Sequence, residues 1–143
     1  MPEARDIAKV VFEEIRESFT ELVARESESS EGEPQLEIPE QRGLRFDVTL
    51  YLYGDVLNLC AGQFWGEWFP CSNSAVVSRY VEAVCGLLEG RFRIVEHARS
   101  GRVLKAFLQR PLGRGWQNIS RHYHGFSLPW PRTQQRILQN LAA

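Results

Sequence analysis

The sequence predicts an α+β fold: two layers, with helices packed on an antiparallel sheet in the order α-β(2-3)-α-β(2-3)-α. Three observations predict it. Apolar residues recur at helical spacing in three segments. Apolar and polar residues alternate strictly over residues 44–53 and again, less regularly, over 91–109. Tight turns rather than long crossovers join the alternating segments, which selects antiparallel pairing. The 143 residues suit one domain spanning 1–143.

The first helix is placed at residues 4–25, where Ile7, Val11, Ile15, Phe19 and Leu22 form an apolar stripe and Glu13, Glu14, Glu17 and Glu21 fill the opposite face. The run ESESSEGEP follows, with no apolar residue to bury, and predicts a mobile acidic loop over 26–35. The short QLEI before Pro39 reads as an edge strand. From Leu44 the period becomes two, with Leu44, Phe46, Val48, Leu50 and Leu52 on one face. Gly54-Asp55 supplies a two-residue II′ turn, and Val56 to about Gly62 returns as the partner strand.

Residues 64–70, FWGEWFP, are expected to form an aromatic loop, because Gly66, Glu67 and Pro70 interrupt the period. Ser72 or Ser74 then caps a helix over 74–89 that Gly90 closes. Phe92 and Ile94 begin a hairpin that turns at Ser100-Gly101 and returns from Val103 to Gln109, and a further strand is expected from Trp116 to Arg121. After LPWP, a last helix from Pro131 is expected to bury Ile137, Leu138 and Leu141. This order of elements resembles that of the small type III secretion chaperones and related α+β proteins. The resemblance is one of pattern, without a shared motif, and implies no function. The basic C-terminal half departs from the acidic character of those chaperones.

The net charge of −1 hides two opposed halves. Residues 1–89 hold 17 Asp and Glu against 7 Lys and Arg, whereas residues 90–143 hold 10 Lys and Arg against the single acid Glu96. With 43% hydrophobic and 24% charged residues, the composition excludes a disordered or fibrous chain. No apolar run approaches the roughly 20 residues of a membrane span, and the stretch MPEARDIAKVVFEEIRE lacks the basic segment and apolar run expected of a signal sequence. Three cysteines without such a signal suit free thiols in a reducing compartment, so a cytoplasmic location without a membrane partner is expected.

Catalytic signatures are absent: no phosphate loop, dinucleotide fingerprint or hydrolase elbow occurs. Cys60, Cys71, Cys85, His97, His122 and His124 include metal-ligand types, but the cysteines lack a C-x₂₋₄-C pair, and no metal or cofactor is assigned. Cys71 before a helix N-terminus, with His97 or His122 as base, keeps a small thiol or metal-dependent enzyme as a third reading. The leading expectation is a non-catalytic protein-binding module, chaperone-, immunity- or adaptor-like. Its binding surface would be the aromatic segment 64–69, through Phe64, Trp65, Trp68 and Phe69, with Trp130 as a second aromatic. Residues three apart in an extended segment point to opposite faces, so Trp65 and Trp68 are expected to differ in exposure. A homodimer is compatible with such a surface. The alternative is nucleic-acid binding by residues 90–143, through Arg91, Arg93, Arg99, Arg102, Lys105 and Arg121, with Phe107, Trp116 and Tyr123 interleaved. The polar face of the last helix, including Gln139 and Asn140, would add base contacts.

Overall fold

The computed structural model describes residues 3–124 and 133–141. It corrects the expected α+β order: the chain is mostly β, with nine strands in two antiparallel sheets and only two helices among the described residues. The elements are α1 (Ala4–Ser18), β1 (Arg25–Glu28), β2 (Pro34–Ile38), β3 (Val48–Tyr53), β4 (Val56–Ala61), β5 (Phe64–Trp68) and α2 (Ser74–Glu89). They continue with β6 (Arg93–Arg99), β7 (Arg102–Leu112), β8 (Gly115–Tyr123) and β9 (Gln134–Leu138). The first sheet is the meander β1-β2-β3-β4-β5, and the second has the order β8-β7-β6-β9. The helix–sheet alternation that carried the resemblance to secretion chaperones is therefore not the order of this fold.

Four departures from the sequence reading have physical causes. Helix α1 stops at Ser18, seven residues short of the expected end. Ser18 Oγ donates to the Glu14 carbonyl, and Leu22 reaches the core through a turn in which its N–H donates to the Phe19 carbonyl. The acidic segment expected as a loop over 26–35 is largely a hairpin in which β1, fully exposed along its length, takes its register from β2. Its strand character comes from the sheet edge it pairs with and not from any apolar residue of its own. The aromatic segment is a regular strand, paired with β4 from Ala61↔Phe64 to Leu57↔Trp68. The last segment is the edge strand β9 and not a helix. It pairs with β6, burying Leu138 opposite Ile94 and leaving Ile137 exposed. A helix of so few residues is marginal in water, whereas an open strand edge offers a full ladder of hydrogen bonds.

Other elements follow the sequence. The alternation at Val48, Leu50 and Leu52 lies inward, and Gly54 takes φ +63° in the two-residue turn to β4. Helix α2 spans Ser74–Glu89 and ends on Gly90 at φ +82°, though its N-cap is Asn73, whose side chain accepts from Ala75 N at 2.9 Å. The two-residue turns Ser100-Gly101 and Gly113-Arg114 join β6 to β7 and β7 to β8.

Both helices pack on the first sheet, α1 against β2 and β3 and α2 against β5, and one apolar cluster contains residues of α1, α2 and both sheets, from Ala8 and Ile15 through Leu50 and Leu59 to Ile94, Leu108 and Leu138. The sheets meet where β5 touches β7 and β8. Glu96, whose side chain is only 1% exposed, accepts from Gln63 N at 2.6 Å and so ties β6 to the β4–β5 turn. Asn140 is a second clamp: its amide donates to the carbonyls of Gly43 and Leu88, both at 2.7 Å, and its oxygen accepts from Arg45 N. No helix among the described residues is long and apolar enough to cross a membrane.

Candidate functional site

Strand β5 divides the aromatic residues between two environments. Phe64, Gly66 and Trp68 point to the core and Trp65 and Glu67 point away, as the two-residue period of a strand requires. Phe64 is 1% exposed, and Trp68 meets Tyr80 edge to face with centroids 5.5 Å apart. Gly66, read from the sequence as a breaker, is what lets these rings converge. A Cβ there would lie 2.7 Å from Phe64 and 2.8 Å from Trp68. Trp65 is 39% exposed and Phe69, beyond the strand, 62% exposed. The structure thus separates two core residues, Phe64 and Trp68, from two surface ones, Trp65 and Phe69. Trp130 lies outside the described residues.

The Trp65 indole is held in place rather than merely exposed. Its Nε1–H donates to Asn58 Oδ1 at 2.8 Å, and its ring stands 5.4 Å from that of His122. Asn58 is buried and fixed in turn, its amide donating to the carbonyls of Val56 at 3.1 Å and Tyr51 at 3.4 Å. Beside the indole, Tyr51, Tyr53, Val56, Asn58 and Glu67 line a cleft of about 360 Å³. Tyr53 is open to solvent at its rim. Burial, with Cys60 and Glu67 nearby, pushes the Tyr51 phenol above its usual range, so it stays a neutral hydrogen-bonding group. Of these residues, Tyr51 and Tyr53 were legible as the outward positions of the 44–53 alternation. Asn58 carried no sequence signal, because a single Asn in an apolar strand reads as an interruption.

The basic residues also separate. Arg91 pairs with Glu89 at 2.6 Å. The Arg93 guanidinium lies 4.0 Å over the Trp116 ring and donates to Gln109 Oε1 at 2.9 Å. Arg99 and Arg102 face each other at the β6–β7 turn, while Lys105 lies further along β7 and Arg121 on the neighbouring β8, both on the outer face of the second sheet. Asn140, expected on a base-contacting helix, is instead the buried clamp described above.

The thiols do not resemble activated nucleophiles. Cys71 is buried, and burial followed by the charge of Asp55 pushes its thiol up, against the helix-terminus effect the sequence suggested. Burial raises Cys60 and Cys85 as well. His122 and His124 stand ring to ring at 4.5 Å, and burial followed by the neighbouring His124 lowers His122, while Glu67 opposes the shift. No group of three His, Cys, Asp or Glu side chains suited to a metal occurs among the described residues.

Comparisons with protein families, with curated proteins and with solved structures each find no match.

Proposed function

We propose that the chain is a non-catalytic protein-binding module, chaperone-, immunity- or adaptor-like, that seats an apolar side chain of its partner in the cleft beside Trp65. One observation carries the reading: an exposed indole whose orientation is fixed by a buried asparagine. Binding hot spots favour Trp because it contributes large contact area, and a ring already locked in place loses little entropy when a partner covers it. Tyr53 widens the apolar surface, and Glu67 at the rim adds a negative charge. The fitting partner segment therefore carries an aliphatic or aromatic anchor beside a Lys or Arg. The three free thiols suit a reducing compartment, and the proposal places the module in the cytoplasm.

A photo-crosslinking residue at Tyr53 tests this in the native lysate. A discrete crosslinked protein is expected, surviving nuclease treatment and lost on Trp65→Ala, while the same probe at Arg114 on a distant turn captures nothing comparable. No crosslink at position 53, or one indifferent to Trp65→Ala, overturns the proposal.

A further inference from the structure

The second sheet has an outer face that the core does not use. Ile94 and Glu96 of β6, Ala106 and Leu108 of β7 and Leu138 of β9 point inward, so the alternate residues of each strand form the opposite face. The register then fixes what lies side by side there. Val95 stands between Phe107 and Ile137, His97 beside Lys105, Lys105 beside Tyr123, and Phe107 beside Arg121. The rings form a continuous row: His97 to Phe107 at 5.3 Å and Phe107 to Tyr123 at 6.4 Å, both edge to face. Lys105 Nζ lies 5.8 Å from the Phe107 ring, and Tyr123 at the end of the row is 54% exposed. Val95, between Phe107 and Ile137, is buried on this face and lies outside the main apolar cluster.

The charge on this face has one sign. Among residues 90–143 the only acid is Glu96, and it points inward and is buried. Every ionised side chain the strands of this sheet direct outward is therefore cationic. A cationic face with a row of aromatic rings matches the two requirements of an unpaired polynucleotide, cations for phosphates and ring faces for bases. A duplex hides its bases from such a face. A purely anionic surface would have no use for the rings. We propose that the outer face of the second sheet binds single-stranded nucleic acid, with Lys105 and Arg121 contacting phosphates and Phe107 and Tyr123 stacking bases.

Fluorescence anisotropy with a labelled single-stranded oligothymidylate of about 12 nucleotides tests this. Binding is expected at low salt, with a log–log salt slope of about −0.7 for each phosphate contact. The double variant Lys105→Gln/Arg121→Gln should reduce that slope by about 1.4, whereas Arg42→Gln, which removes a charge elsewhere, leaves it unchanged. Tyr123→Ala should weaken oligonucleotide binding about tenfold, with an unchanged circular dichroism spectrum, and leave binding of inorganic polyphosphate unaffected. Absence of binding at low salt overturns the proposal. So does equal affinity for the matching duplex, or equal loss of polyphosphate binding in Tyr123→Ala, since either result would make the face a charge patch without base recognition.

Discussion

Phe64 and Trp65 are sequence neighbours with opposite structural duties, and substitution separates them. Phe64→Ala empties a fully enclosed site between Gly66, Trp68 and the core, and should cost about 3–5 kcal/mol. Trp65→Ala removes one hydrogen bond to Asn58 and a half-exposed ring, and the Asn58 oxygen it uncovers gains access to water. Its cost should be about 1–2 kcal/mol. Denaturant melts of the two variants check this, and a loss of similar size in both would make Trp65 a core residue like its neighbour. The sequence predicts a loop here, because Gly66, Glu67 and Pro70 interrupt the period, although an extended segment is expected to part Trp65 from Trp68. Which of the two faces met the core was not legible, because bulky aromatic residues occupy both.

Among the elements, the β4–β5 turn is tightly constrained. Gly62 takes φ +56°, and a Cβ there would lie 2.6 Å from Leu138 and 2.8 Å from a carboxylate oxygen of Glu96, which itself holds the Gln63 N–H. The left-handed backbone alone costs a non-glycine residue about 1–2 kcal/mol. Gly62→Ala should therefore destabilise by more than that, because β9 and Glu96 must also move. The control Gly54→Ala shares the positive φ but would meet nothing within 4 Å, so it should lose only the backbone contribution. Equal losses in thermal melts of the two variants would remove the turn's role as a seam between the sheets. The sequence announces the Gly54 turn through the strands on either side of it. Nothing local to Gly62 announces Glu96, which lies 33 residues beyond Gln63 along the chain.

For the molecule as a whole, a single apolar cluster joins α1, α2 and both sheets. Unfolding either sheet alone would expose the inner face of the other, so the two should unfold together. Tryptophan fluorescence, to which Trp65 and Trp68 in the first sheet and Trp116 in the second contribute, should trace the same thermal transition as far-ultraviolet circular dichroism. Two separated transitions would show that the clamps at Glu96 and Asn140 do not couple the sheets. The charge split of the sequence acquires a spatial meaning at this scale. The second sheet presents cations outward, while the Glu residues of α1 and β1 lie on the exposed surface around the first.

By itself, the sequence determined the local periodicities: helices beginning near residue 4 and over 74–89, the β3–β4 hairpin with its Gly54 turn, and the β6–β7 hairpin with its Ser100-Gly101 turn. Each rests on spacing within a dozen or so residues, where side-chain direction and turn chemistry suffice. Only the tertiary structure decided the rest. Strand β1 has no buried residue, and β9 carries adjacent apolar residues, Ile137 and Leu138, that fit either period, so the unpaired edges of β2 and β6 made both of them strands. Gly66 reads as a break until Phe64 and Trp68 close over it, and Asn58 reads as an interruption until Trp65 lies against it. In each case the deciding partner is a backbone edge or a ring from another position in the fold, and the free energy of satisfying that edge or filling that space exceeds the weak preferences of the segment itself.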